Sequence, residues 1–243
     1  MKILAIDTSN QPLSVAILED QKLLAQTTLT VGKNHSVTLM PVIAALLKQS
    51  QLKPKDLTRI VVAQGPGSYT GLRIGVTAAK TLAFSLGIEL VGVSSLALLA
   101  ANYAVDMTNS PLLVPIFDAR RENVFAGAYR WQDGNLVTVL ADQHISMADL
   151  CTQLVGENPC FIGIDAHRLQ DLIAQSCSTP FKLAPEQFCY PQAYQLGLLG
   201  LTKQPSEIQT FVPAYLRLTQ AELQWLEKNP EGTKTDGKYV EKI

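Results

Sequence analysis

The chain has 243 residues, 47% of them hydrophobic and 17% charged, with a formal net charge of −1. That profile excludes a disordered or fibrous chain and leaves ample core for one large domain or two small ones. It also lacks the overall basic field with which a protein grips nucleic acid unaided, so any RNA it serves is expected to be held by another protein.

The apolar start is broken by Asp7 before a signal-peptide core can form, and no stretch is long and apolar enough to span a bilayer. The four cysteines, Cys151, Cys160, Cys177 and Cys189, are irregularly spaced and form no C-x-x-C pair. They read as free buried thiols, which places the chain in a reducing cytoplasm.

Residues 2–6, 13–18 and 22–29 are short apolar runs joined by turn chemistry, which predicts an antiparallel meander. A helix follows over 36–49, with His35-Ser36 at its start and Pro41 near its first turn. Val37, Met40, Ala44 and Leu47 share one side of it, while Leu39, Val42, Ile43 and Leu46 spread over the other. So little polar face remains that this helix is expected to be buried on two sides. A strand over 59–64, the loop GPGSYTG at 65–71, a helix over 72–87 ending at Gly87, a strand over 91–95 and a helix over 96–105 complete the first half.

Near residue 110 the pattern restarts. Strands at 112–117, 123–130 and 136–140 repeat the opening meander, helices near 147–155 and 166–176 flank a strand at 160–165, and a helix over 191–202 closes the second half. This is an internal repeat of pattern rather than identity. Two βββαβα copies predict an α/β fold of the actin, hexokinase and Hsp70 group (the ASKHA fold). The expected lobes are 1–106 and 107–228, with a cleft between them and a polar tail at 229–243.

GPGSYTGLRIG at 65–75 is the sharpest motif. A glycine-rich loop opening a helix can present amides to a phosphate, with Gly67 and Ser68 as the candidates here. Thr70 stands where the dinucleotide fingerprint needs its third glycine, and Leu72 stands where a P-loop needs lysine. The other reading is a tight turn in which Ser68 or Thr70 caps the helix.

A third reading uses the spacing of Gly71, Gly75 and Ala79, joined by Ala78 and Ala83. This small-residue face would let another helix approach, from the same chain or from a second one. Asp7, Thr8 and Ser9 at the end of the first strand, with Asp118 at the matching place in the repeat, could line a nucleotide cleft with magnesium, or simply close a turn. None of His35, His144 and His167 has a second histidine or a cysteine at helical ligand spacing, and no G-x-S-x-G elbow is present.

Taken together, ILAIDTS (3–9), HSVTLMP (35–41), GPGSYTGLRIG, GVSSL (92–96), DARRENVFAGAY (118–129) and YLRLTQAE (215–222) resemble the TsaB (YeaZ) family, in the family's order and over most of the chain. The resemblance implies a two-lobed actin-like fold and a non-catalytic role beside the paralogue TsaD in making threonylcarbamoyladenosine on tRNA. It also implies the ATPase TsaE and a TsaC-type synthase as co-workers, with tRNA reached only through the complex. ATP and metal then belong to the partners, and this chain needs no cofactor.

Homodimerisation, or pairing with TsaD, is implied through the first two long helices. The positions expected to carry it are His35, Leu39, Met40, Ile43 and Leu47, with Gly71, Gly75, Ala78, Ala79 and Leu82. TsaD-like proteins hold their metal partly through an H-x-x-x-H pair, and Leu39 replaces its second histidine here. Val37 stands where the family usually has glutamate. The rival reading is an autonomous ATP-binding enzyme, an ATPase or phosphotransferase, built on Asp7 and the 65–71 loop.

Overall fold

The computed structural model describes residues 1–31, 34–103 and 111–217. The expected tail at 229–243, the end of the helix expected over 96–105 and most of YLRLTQAE lie outside them.

Strands β1 (Lys2–Asp7), β2 (Leu13–Glu19) and β3 (Lys22–Leu29) form the predicted meander. Helix α1 (His35–Gln49), β4 (Arg59–Gly65), α2 (Tyr69–Leu86), β5 (Glu89–Ser94) and α3 (Ser95–Ala101) follow. The second unit is β6 (Leu112–Asp118), β7 (Asn123–Gln132), β8 (Asn135–Ser146), α4 (Met147–Gln153), β9 (Pro159–Ile162), α5 (Ile164–Arg168), α6 (Gln170–Ser176), β10 (Lys182–Leu183) and α7 (Ala193–Leu201).

The first sheet has the order β3-β2-β1-β4-β5 and the second β8-β7-β6-β9-β10. Within each, the first three strands are antiparallel neighbours and the remaining pairings are parallel. The repeat inferred from pattern is therefore complete in topology, and the molecule is a duplicated, two-lobed α/β protein of actin-like architecture. β10 is an addition: its two paired residues carry no periodic signal. β8 runs to Ser146, well beyond the expected 140.

Three expectations are corrected. First, the helix over 191–202 does not close the second half. α7 lies on the first sheet, with Ala193 and Leu196 packed among Ile3, Ala5, Ala16 and Val61. A Cβ on Gly197 would stand 2.6 Å from Leu18 Cδ1, and one on Gly200 2.4 Å from Val61 Cγ1, so the helix seats closely because both positions lack one. Buried Arg59 locks it there, donating to the carbonyls of Gly200 (2.7 Å) and Leu201 (2.8 Å) while pairing with Glu89. α3 supplies the inner cover of the second sheet through Leu96, Leu99 and Ala100 against Leu113 and Phe117.

Second, α1 is buried on one side only. Leu39, Ile43, Leu46 and Leu47 face the sheet, while Val37 is 65% exposed and Met40 47%. Asn34, not His35 or Ser36, takes the N-cap position. Third, the cysteines are not all free. α4 and α6 pack side by side and bring the Cα atoms of Cys151 and Cys177 to 5.0 Å, where the two are joined as a disulfide. Cys160 and Cys189 are free and buried.

Among the described residues no helix is long and apolar enough to cross a membrane.

Candidate functional site

At the end of β1 the chain turns through Asp7, Thr8 and Ser9, all buried. Asp7 Oδ1 accepts the Ser9 amide at 2.8 Å, and its Oδ2 has no partner among the described residues. The matching turn after β6 is built alike: Asp118 Oδ1 accepts the Arg120 amide at 2.7 Å, although Asp118 itself is exposed. The duplication thus extends to the side-chain chemistry of the two turns. Across the floor between the lobes, Ser9 and Pro12 meet Phe117 and Ile164 around a closed cavity of about 10 Å³. The hydroxyls of Ser9 and Ser95, which also line it, have no partner among the described residues. The space suits a single water.

The glycine-rich loop is packed onto this turn. Ser68 caps α2 by accepting the Gly71 amide, its own amide donates to Ser9 O at 2.7 Å, and Leu72 N donates to Ser68 O at 2.8 Å. Thr8 Oγ1 donates to Gly71 O at 2.7 Å. A Cβ on Gly67 would lie 2.1 Å from Ser9 O, one on Gly71 2.1 Å from Thr8 O, and one on Gly75 2.3 Å from Thr8 Oγ1. The glycines permit a joint between α2 and β1; the Ser68 amide is spent on that joint and the Gly71 amide on the cap. The capping reading therefore holds, and the loop has fewer amides to offer a phosphate than its sequence suggests.

On the outer face a groove of about 560 Å³ runs between α1 and α2, lined by Met40, Ile74, Thr77, Ala78 and Leu82 among others. It continues past the start of α1 into a more polar hollow with Asn10, His35 and Thr70. His35 Nε2 pairs with Asn10 O at 3.0 Å. Leu39, at the position of the absent second histidine, is 1% exposed. Among the described residues no group of three or more His, Cys, Asp or Glu side chains could hold a metal.

The family model for TsaD, described as tRNA N6-adenosine threonylcarbamoyltransferase, matches residues 23–225. The Bacillus subtilis protein "tRNA threonylcarbamoyladenosine biosynthesis protein TsaB" is 42% identical over 229 residues, covering 93% of this chain and 99% of that one. The chain belongs to the TsaB family. A TsaB of Escherichia coli is 30% identical over 56% of this chain and 58% of its own length. The solved structure "YeaZ from Pseudomonas aeruginosa" superposes with a TM-score of 0.77 at 24% identity, over 88% of this chain and 99% of that one, which is a likeness of fold.

In this TsaB-family chain the two long helices offer a partner less than the sequence implied. Gly71, Gly75 and Ala79 are buried against the chain's own sheet, as are Leu39, Ile43 and Leu47. The small-residue face serves internal packing because the Thr8 turn needs backbone contact there. The accessible face is Val37 and Met40 of α1 with Ile74, Ala78 and Leu82 of α2, continued by Phe84 at 71% exposure.

Two features carried no sequence signal. Residues 202–217 return along α2 as a strap: Ala214 N donates to Gln64 O at 2.8 Å, Gln64 Nε2 to Val212 O at 2.8 Å, and Lys80 Nζ to Gln209 O at 3.1 Å. The other is an interlobe latch. Ser94, the N-cap of α3, donates from Oγ to Asp142 Oδ2 at 2.5 Å, and Tyr129 OH donates to Asp142 Oδ1. Burial pushes the Asp142 carboxyl up, against the hydrogen bonds of Ser94 and Tyr129 that hold it down.

Burial likewise pushes the Asp7 carboxyl above its ordinary range, outweighing the bond from the Ser9 amide and the nearby His35. The folded state therefore holds this proton more tightly than the unfolded chain does. The contribution is full at acid pH and is lost as pH rises through the raised value. Asp7→Asn keeps the acceptor for the Ser9 amide and removes the buried charge. At pH 8 it is expected to melt roughly 2–4 °C above the parent, the gap closing towards pH 4, in thermal denaturation at both pH values.

Proposed function

We propose that this chain is a non-catalytic partner of a TsaD-type threonylcarbamoyltransferase in forming threonylcarbamoyladenosine on tRNA. It acts by docking the exposed α1–α2 face onto that enzyme. The observation that carries the reading is the groove of about 560 Å³ on a family member whose second metal-pair histidine is the buried Leu39. A second copy of the chain takes the same face when TsaD is absent, since both partners answer the same apolar surface. ATP and metal enter through TsaD, TsaE and the TsaC-type synthase.

Reconstitution with those three proteins, tRNA, ATP, threonine and bicarbonate tests the role. Modification of the tRNA is expected to require this chain and to survive Asp7→Ala. Modification indifferent to the chain would overturn the reading. Loss of modification with Asp7→Ala, together with nucleotide binding by the isolated chain, would favour an autonomous ATP-dependent enzyme.

The docking face has its own test. Met40→Lys places a charge at the centre of the groove without touching the core. It is expected to weaken TsaD binding by about ten-fold or more in calorimetry and to leave the melting temperature unchanged.

A further inference from the structure

We propose that the turn after β6 and the end of the strap form a surface on this chain that contacts single-stranded RNA directly. The proposal extends the preceding reading, in which tRNA is reached through the partner. It rests on that reading only for the choice of tRNA as one of the probes.

The turn is the first half of the surface. Arg120, Arg121 and Glu122 have φ of 67°, 52° and 60°, three successive non-glycine residues in the left-handed region. The backbone is held there from every side. Asn123 Nδ2 donates to Arg121 O at 2.8 Å, Asn123 N to Arg120 O at 3.1 Å, Met147 N to Glu122 O at 2.9 Å, and Arg217 Nη1 to Ala119 O at 3.0 Å. With its carbonyls occupied, the turn carries Arg120 and Arg121 exposed, and among the described residues neither guanidinium forms an ion pair. Two exposed guanidinium groups carried on a held backbone turn suit phosphate oxygens.

The strap supplies the second half and ties it to the first. Tyr215 stacks on Tyr69 with ring centroids 5.0 Å apart, Arg73 lies 4.3 Å over the Tyr69 ring, and its Nε donates to Tyr215 OH at 3.2 Å. Both rings remain 41% exposed. Two residues on, Arg217 reaches the arginine turn, so the tyrosines and the turn share one face. Among the described residues that face holds Arg120, Arg121 and Arg217 beside the carboxylates of Asp118 and Glu122, in a chain whose net charge is −1. Exposed aromatic rings among arginines are the chemistry of single-strand binding, where bases stack and phosphates meet guanidinium groups.

The test is fluorescence anisotropy of a labelled oligouridine and of a tRNA transcript with the full chain at 50–200 mM salt. Arg120→Glu/Arg121→Glu is expected to weaken binding of both probes by about ten-fold or more and to flatten the log–log salt slope by about 1.4, at about 0.7 per phosphate. Tyr215→Leu is expected to lose about five-fold with the slope unchanged, because stacking releases no counterions, and Tyr215→Phe to bind as the parent does. Lys53→Glu/Lys55→Glu makes the same charge change ahead of β4 in the other lobe, at the opposite end of that strand from Tyr69, and is expected to have a much smaller effect. Absence of binding by the parent chain at 50 mM salt, equal losses in the two charge-reversed variants, or an unaffected Tyr215→Leu would each overturn the proposal. Tyr215→Phe binding as weakly as Tyr215→Leu would do the same. RNA binding is read without TsaD, so its failure leaves the docking role standing, and failure of docking leaves the RNA result interpretable.

Discussion

Gly75→Leu is expected to yield no folded monomer, because α2 cannot stay on the first sheet with a side chain at that position. Even a Cβ there would lie 2.3 Å from Thr8 Oγ1 and 3.8 Å from Val62 Cγ2. Thr8 cannot simply rotate away, since its hydroxyl donates to Gly71 O at 2.7 Å and the residue is 1% exposed. Gly75→Ala should cost about 2–3 kcal/mol by overpacking, and Leu more than about 4 kcal/mol. The decisive comparison pairs Gly75→Ala with Thr8→Ala. Removing the hydroxyl makes room for the new methyl, so the double variant should be more stable than the sum of the single effects predicts, by at least about 1 kcal/mol in urea denaturation. Additive effects, or a Gly75→Ala chain that melts normally and only binds TsaD poorly, would return the small-residue face to the role of partner contact.

The two readings of that face show where sequence reasoning reaches its limit. Spacing correctly placed Gly71, Gly75 and Ala79 on one side of a helix and correctly implied a close approach. It could not say what approached, because the answer is a backbone turn at residues 7–9, some sixty positions away. α1 shows the same limit: its apolar residues ran around the helix, and only the sheet decides that Leu39, Ile43 and Leu46 are inside while Val37 and Met40 are left out.

The duplication was legible because β1 and β6 are continuous apolar runs that each end at an aspartate turn. β8 runs past the expected 140 through Asp142, Gln143 and His144, a polar run without the apolar pattern of a strand. They continue an edge strand whose polar residues are answered by partners, Ser94 and Tyr129 for Asp142 and Gln153 for Gln143. The disulfide between Cys151 and Cys177 had no local signature either, since it depends on two helices lying side by side. α7 read as the closing helix of the unit that contains it, and it crosses to the other sheet because its two glycines fit Leu18 and Val61.

Asp142→Ala is the second large effect expected, and it separates the stability of each lobe from the coupling between them. The carboxylate accepts from a hydroxyl of each lobe, and a Cβ on Gly127 would stand 2.4 Å from its Oδ1, so the network is enclosed by backbone. Removing it leaves the Ser94 and Tyr129 hydroxyls with only their long mutual contact of 3.4 Å in a half-buried site, at a cost of roughly 3 kcal/mol. Tyr129→Phe removes the bond to Asp142 and the longer contact with Ser94 Oγ at 3.4 Å and should cost about 1 kcal/mol, and the double variant should lose little beyond Asp142→Ala alone, because only that long contact is left to remove. Ser94 retains a second task, since its Oγ accepts the amides of Leu96 (3.1 Å) and Ala97 (3.0 Å) at the start of α3. The loss should therefore fall on the joint. Hydrogen exchange in Asp142→Ala is expected to rise in α3 and along β7 and β8, and to stay unchanged in α1 and α2. Because the docking groove lies on the far side of the first sheet from this joint, TsaD affinity below the melting transition should stay within about two-fold of the parent. A ten-fold loss would mean that the latch sets the geometry of the docking face and does more than hold the lobes together.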